Sequence, residues 1–163
     1  MRTLVVYYSR TGNTRFVAEK IAEQLGAETC EVVDKKKRTG RLGFFTGGYA
    51  ATRKKLTDIE VPKPIDNYDF IIIGSPVWAG KITPAIRTFI TKNDFSGKKL
   101  ACFVTLDGDK PEKSLKNMKE ALSPHTSIGE LGITGVLKNK EESEQQIMNW
   151  CEKIKKKMDD SNS

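Results

Sequence analysis

A cluster of small polar residues with three hydroxyl side chains follows the first apolar segment of the chain. The apolar segment is residues 4–8, and a helical pattern begins where the cluster ends. The cluster consists of Ser9, Arg10, Thr11, Gly12, Asn13 and Thr14. Turn N–H groups, hydroxyl groups and the positive end of a helix dipole together favour phosphate binding. The sequence therefore predicts that this turn holds the phosphate of a ligand.

The same cluster lacks the residues that proteins use to hydrolyse, transfer or accept a phosphoryl group. It contains neither the GxxxxGK[ST] pattern of nucleotide triphosphatases nor the GxGxxG pattern of dinucleotide-binding proteins. No cysteine nucleophile lies near it. Serines at positions 9 and 75 stand where a phospho-acceptor domain of similar topology needs aspartates. We therefore predict that the turn binds a phosphate group without hydrolysing or transferring it, and we assign no catalytic residue.

The cysteines and the histidine do not form a metal-binding pattern. Cys30, Cys102 and Cys151 are widely separated, no CxxC pair occurs, and His125 is the only histidine. This predicts no metal site and three reduced thiols that serve in packing. The apolar segments are too short to span a membrane, and no secretory signal pattern is present. We therefore expect a cytoplasmic protein.

Two further loops follow apolar strands and carry residues suited to a ligand. The first consists of Pro76, Val77, Trp78, Ala79 and Gly80. The second consists of Thr105, Leu106, Asp107, Gly108 and Asp109. An indole in a strand-end loop is costly to leave in water. Trp78 is therefore expected either to stack on a planar ligand or to pack against the following helix.

Apolar segments and helical patterns alternate along the chain, which predicts one doubly wound α/β domain over residues 1–158. The expected strands are residues 3–8, 28–33, 69–74, 98–105 and 127–133. The expected helices are residues 14–25, 49–56, 83–91, 111–122 and 141–157, with a polar C-terminal tail at residues 159–163. Ligands bind at the carboxyl ends of the strands in such a sheet, so the three loops are expected to form one site.

The segments YSRTGNT at residues 8–14 and GSPVWAG at residues 74–80 resemble the phosphate loop and the first flavin loop of the flavodoxin family. The resemblance covers essentially the whole chain. It implies a flavodoxin-like, five-stranded parallel sheet of order 2-1-3-4-5 with helices on both faces. It also implies flavin mononucleotide (FMN) at the switch between strands one and three, for which flavodoxin is itself the reference example.

The resemblance also implies roles for the candidate residues. Residues 9–14 would hold the FMN phosphate, and residues 76–80 would flank the isoalloxazine, with Trp78 stacking on it. Residues 105–109 would form a second flavin loop. The aromatic residue that many family members carry there is missing, which leaves one face of the flavin open to a substrate or a nicotinamide.

The charge distribution departs from the family pattern, because electron-carrying flavodoxins are typically acidic and this chain has a net charge of +7. Residues 34–58 carry eight basic and two acidic side chains. Three interpretations stay open: a solvated loop, a docking surface for an acidic redox partner, or a site for an anionic substrate such as NAD(P)H. No nucleic-acid-binding motif occurs, so nucleic acid is not an expected partner.

The resemblance thus implies an FMN-binding redox protein that transfers electrons through non-covalently bound flavin. One alternative is an NAD(P)H-dependent quinone or flavin oxidoreductase. A further alternative, from a different class, is an interaction module that keeps the fold without the flavin. At the level of the sequence, both the electron carrier and the enzyme remain open.

Overall fold

The computed structural model describes residues 1–36, 56–108 and 110–161. Within these ranges the strands are β1 (Thr3–Tyr7), β2 (Glu28–Glu31), β3 (Val33–Asp34), β4 (Ile59–Glu60), β5 (Phe70–Trp78), β6 (Lys81–Ile82), β7 (Lys99–Leu106) and β8 (Ser127–Thr134). The helices are α1 (Asn13–Leu25), α2 (Pro84–Lys92), α3 (Glu112–Leu122) and α4 (Lys140–Asp160). None of these helices is both long and apolar enough to cross a membrane.

The five strands of the main sheet are parallel and lie in the order β2-β1-β5-β7-β8. Helices α1 and α4 pack on one face of this sheet, and α2 and α3 pack on the other. Burial on both faces explains why the central strands are almost entirely apolar. The predicted strand order and the predicted layers are therefore confirmed.

Strand β5 is longer than predicted and continues into a hairpin. Its pairing with β1 ends at Gly74, and its last residues pair antiparallel with β6. The sequence predicts a loop over residues 76–80, but the turn is confined to Ala79 and Gly80, whose φ angles are 50° and 73°. Pro76 fits within the strand because β5 has no β1 neighbour at that point. The hairpin carries the predicted tryptophan loop towards the carboxyl edge of the sheet.

The boundaries of the four described helices agree with the predictions to within a few residues, and capping residues account for the start of α2 and the end of α1. The Thr83 hydroxyl accepts the backbone N–H three residues further on, at 3.5 Å, and starts α2 as predicted. Gly26 ends α1 with a φ of 61°. Pro111 is the N-cap of α3 and not its first residue. Helix α4 includes Asp159 and Asp160, which were expected in the polar tail.

A short antiparallel ribbon of β3 and β4 was not predicted. The Thr57 hydroxyl donates to the Asp34 carboxylate at 2.9 Å, and its backbone N–H donates to the Thr88 hydroxyl of α2 at 2.9 Å. Strands of two residues are too short to show an alternating pattern, which explains the omission. Most of the predicted helix at 49–56 and most of the basic segment 34–58 lie outside the described residues.

Candidate functional site

The turn between β1 and α1 is held in shape by its own side chains. The Ser9 hydroxyl accepts the backbone N–H of Gly12 at 3.2 Å, and the Asn13 amide donates to the Thr11 hydroxyl at 3.0 Å. Gly12 has a φ of 94°, a conformation that a residue with a side chain adopts only under strain. Contacts within the chain therefore hold the turn in this shape.

Helix α1 begins without the groups that normally neutralise a helix N-terminus. Gly12 provides no side-chain hydrogen bond, and the first turn contains no acidic residue. Among the other described helices, α2 is capped by Thr83, and α3 and α4 have glutamates in their first turns. Of these four helices, only α1 leaves both its first N–H groups and its dipole for an external anion.

A buried pair of hydroxyl groups connects this turn to the end of β7. The Oγ1 atoms of Thr14 and Thr105 are 2.8 Å apart, and the two residues are 1% and 2% exposed. One of the two hydroxyl groups donates its hydrogen to the other. The hydrogen of the accepting hydroxyl can therefore be donated to another acceptor. The pair fixes the spacing between two of the three predicted loops.

Trp78 belongs to the protein core. The residue is 4% exposed, and its ring meets that of Tyr8 edge-on, at 5.6 Å between centroids. The Arg10 guanidinium lies 5.3 Å from the centre of the indole. These contacts come from the β1–α1 turn. Trp78 also lies in the same buried core cluster as Ile86 and Phe89 of α2, the following helix. Stacking of Trp78 on a planar ligand stays a prediction and is limited to the part of the ring that these neighbours leave uncovered.

A cleft lies where the three loops meet at the carboxyl ends of β1, β5 and β7. Its cavity volume is about 80 Å³, which is smaller than the roughly 300–1,000 Å³ of typical ligand pockets. Its lining is Arg10, Thr11, Asn13, Pro76, Val77, Trp78, Thr105, Leu106 and Asp107. Six other predicted residues are described and do not line it: Ser9, Gly12, Thr14, Ala79, Gly80 and Gly108. Asp109 lies outside the described residues.

Two buried side chains, Ser75 and Asn117, hold the β5–β6 hairpin through hydrogen bonds to its backbone and to the start of α2. The sequence did not indicate either interaction. The Ser75 hydroxyl accepts the backbone N–H of Thr83 at 3.0 Å. The side-chain oxygen of Asn117 on α3 accepts the Ile82 N–H at 3.0 Å and an Arg87 guanidinium N–H at 3.3 Å. Asn117 is only 3% exposed. A polar residue on the buried stripe of α3 was the one signal that could have revealed the interaction of Asn117.

The Asn117→Ala variant is expected to lose about 1–3 kcal/mol of unfolding free energy, because the buried Ile82 N–H and the partly buried Arg87 guanidinium lose their acceptor. Urea unfolding followed by circular dichroism measures this change. Asn149→Ala is the matched control, since Asn149 lies on the exposed side of α4 and accepts from Gln145 at 3.0 Å. Equal losses in both variants would contradict the role of Asn117 in holding the hairpin.

The cysteines take no part in this site. All three are free and buried, as predicted. Burial raises the pKa of the Cys102 thiol to about 12 and that of the Cys151 thiol to about 11, and it also raises the pKa of Cys30. Thiols that remain protonated at neutral pH are poor nucleophiles. The cysteines therefore contribute to packing.

Similar structures share this fold over nearly their whole length. A flavoprotein from Lactobacillus acidophilus NCFM, solved in complex with FMN, has a TM-score of 0.72 and 25% sequence identity, covering 85% of this chain and 97% of that chain. Flavodoxin 2 from Bacillus cereus has a TM-score of 0.62 and 20% identity, covering 96% of this chain and 99% of that chain. At that identity, the second comparison shows the fold alone.

The sequence comparisons identify the family. NAD(P)H dehydrogenase (quinone) from Archaeoglobus fulgidus is 31% identical over 102 residues, which are 60% of this chain and 52% of that protein. This chain therefore spans about half the length of that relative. The family model described as Flavodoxin matches residues 50–154, which is more than half of the chain. Together with the strand order, this match confirms the resemblance that the two loops indicated, and the chain belongs to the flavodoxin family.

Proposed function

We propose that this protein binds FMN non-covalently in the cleft and transfers electrons through it. The observation that carries the proposal is the uncapped N-terminus of α1, which adjoins a cleft with an aromatic hairpin on its other side. A phosphate provides the acceptor that the first N–H groups of α1 lack. The FMN complex of the L. acidophilus relative supports the same assignment.

The residues around the cleft have separate roles in this proposal. The first turn of α1, with the hydroxyls of Ser9 and Thr11, holds the phosphate through hydrogen bonds. Pro76 and Val77 of the hairpin and Leu106 at the end of β7 flank the flat ring system and exclude water from it. Bound FMN supplies the redox chemistry, and the protein supplies binding and orientation. The proposal therefore requires no side-chain acid, base or nucleophile.

The absorbance spectrum of the purified protein tests the proposal. We expect the visible bands of a bound flavin, and denaturation should release a compound that co-elutes with FMN in chromatography. A protein that stays colourless after incubation with FMN and gel filtration would contradict the proposal. That result would favour the alternative in which the fold serves as an interaction module.

An NAD(P)H-dependent quinone oxidoreductase is the second candidate, favoured by the name of the A. fulgidus relative. If the protein is such an enzyme, the FMN-loaded form is expected to consume NAD(P)H rapidly when a quinone is added. The loss of NAD(P)H absorbance measures this activity, with the same concentration of unbound FMN as the control. Turnover no faster than that of unbound FMN would favour an electron carrier.

For the electron carrier, we propose an acidic redox partner that docks on the basic segment 34–58. Lys35 and Lys36, at the described end of this segment, are exposed. Opposite charges accelerate the encounter of two proteins, and salt screens them. The rate of electron exchange with an acidic reductase is therefore expected to fall as ionic strength rises. A rate that does not depend on salt would argue against docking on this segment.

We also propose a cytoplasmic location. The chain has three cysteines, and all of them are free. Reducing compartments maintain cysteines in this form. Fractionation of cells that produce the tagged protein tests the proposal, and recovery mainly outside the cytoplasmic fraction would contradict it.

A further inference from the structure

Arg10 belongs to the turn between β1 and α1, which is proposed to hold the phosphate. Its side chain, however, contacts the β5–β6 hairpin, which is proposed to flank the flavin ring. The guanidinium carbon lies 5.3 Å from the centre of the Trp78 ring, within the range of a cation–π contact. Arg10 also lines the cleft, as do Pro76 and Val77 of the same hairpin. The charge is therefore placed on the side of the cleft that is proposed to hold the flavin ring.

Arg10 is one of two charged residues among the described lining residues, and the other is Asp107. Arg10 is half-buried, whereas Asp107 is exposed. Solvent screens an exposed charge more strongly than a partly buried one. Solvent therefore screens the charge of Arg10 less than that of Asp107.

We propose that Arg10 raises the two-electron reduction potential of bound FMN by stabilising the negative charge of its two-electron-reduced form. The inference rests on the FMN binding proposed above. A hydride carries two electrons and one proton, so its transfer from a nicotinamide donor leaves NAD(P)⁺ and a reduced flavin monoanion. The guanidinium is always protonated and lowers the energy of this anion relative to neutral oxidised flavin. The site thereby favours hydride acceptance, and Trp78 positions Arg10 for this role.

A redox titration of the FMN-loaded protein, read by absorbance, tests the role of Arg10. In Arg10→Gln, the affinity for reduced FMN relative to oxidised FMN is expected to fall about tenfold, which corresponds to a two-electron potential about 30 mV lower. Arg10→Lys keeps the charge and should retain most of the wild-type potential. A merely structural role for Arg10 would change both affinities alike and leave the potential unchanged.

Arg2→Gln is the matched control because Arg2 makes the same kind of contact at the opposite end of the sheet. Its guanidinium carbon lies 4.8 Å from the centre of the Tyr68 ring, and the residue directly precedes β1. This variant removes an equal charge and should leave the potential unchanged. An equal drop in both variants would reveal a general charge effect and overturn the inference.

The contact itself can be tested in the FMN-free protein. The chain has two tryptophans, so Trp150→Phe leaves the fluorescence of Trp78 as the only tryptophan signal. In this background, Arg10→Gln should change the Trp78 emission, and Arg2→Gln should not. Unchanged emission in Arg10→Gln would overturn the positioning of Arg10 by Trp78.

The outcomes separate this inference from the proposed function. An Arg10→Gln protein that binds FMN and has the wild-type potential overturns the role of Arg10 and leaves FMN binding intact. A wild-type protein that does not bind FMN overturns both.

Discussion

The Asn13→Asp variant is expected to bind FMN about a hundredfold more weakly than the wild-type protein, because the new carboxylate repels the phosphate at the same helix N-terminus. The substitution preserves the size of the side chain and the oxygen that accepts the Leu137 N–H at 3.2 Å. It removes the amide donor to Thr11 but adds a negative charge to the first turn of α1, which the helix dipole favours by about 0.3–1 kcal/mol. Stability and FMN affinity therefore respond differently to this one change.

Riboflavin, which is FMN without its phosphate, provides the control for this prediction. Its affinity should be nearly equal in the Asn13→Asp variant and the wild-type protein, as measured by quenching of flavin fluorescence. Asn149→Asp adds the same charge on the exposed side of α4 and should bind FMN normally. If Asn13→Asp weakened FMN and riboflavin equally, the assignment of the phosphate to this turn would be wrong.

The Gly74→Ala variant is expected to be destabilised by about 3 kcal/mol or more, because the added methyl group would overlap a buried ring. A Cβ at Gly74 would lie 2.0 Å from Cζ of Phe103 and 2.4 and 2.6 Å from two further ring carbons. Phe103 is 0% exposed and occupies the neighbouring strand, so it has little room to move. Gly74 is also the last β5 residue paired with β1, and a shift there would displace the β5–β6 hairpin.

A double-mutant cycle isolates the clash between Gly74 and Phe103. Phe103→Leu removes ring atoms from the overlap, so Gly74→Ala should cost at least about 1 kcal/mol less in that background than in the wild-type protein. Gly108→Ala is the matched control, since a Cβ added there would meet no atom within 4 Å beyond its chain neighbours. Urea unfolding of the variants measures these differences. Additive losses in the double mutant would contradict the overlap.

The sequence predicted the sheet because each central strand is buried on both faces and is therefore almost continuously apolar. It did not predict that β5 continues past Gly74. Pro76 suggests a strand end, and the proline is tolerated only because β1 has already stopped there. Pairing between strands, which the sequence does not display directly, decides this boundary. The ribbon of β3 and β4 was missed for a related reason, since its pattern is too short to detect.

The turn between β1 and α1 could be predicted because its hydroxyls, its glycine and the start of the helix are adjacent in sequence. The bond between Thr14 and Thr105 was not, since 91 positions separate the two residues and only the sheet brings them together. The direction of the Arg10 side chain depends on its rotamer and on the position of Trp78. Sequence therefore predicts the types of group in this site better than it predicts which groups touch.

Titration of the FMN-free wild-type protein with FMN and with riboflavin tests the central claim most directly. The account predicts saturable 1:1 binding of FMN. Charge-assisted hydrogen bonds contribute about 1.5–3 kcal/mol each, so two such bonds to the phosphate should make riboflavin at least about a hundredfold weaker. No saturable FMN binding, or equal affinities for the two flavins, would contradict the claim that the N-terminus of α1 holds the phosphate of FMN.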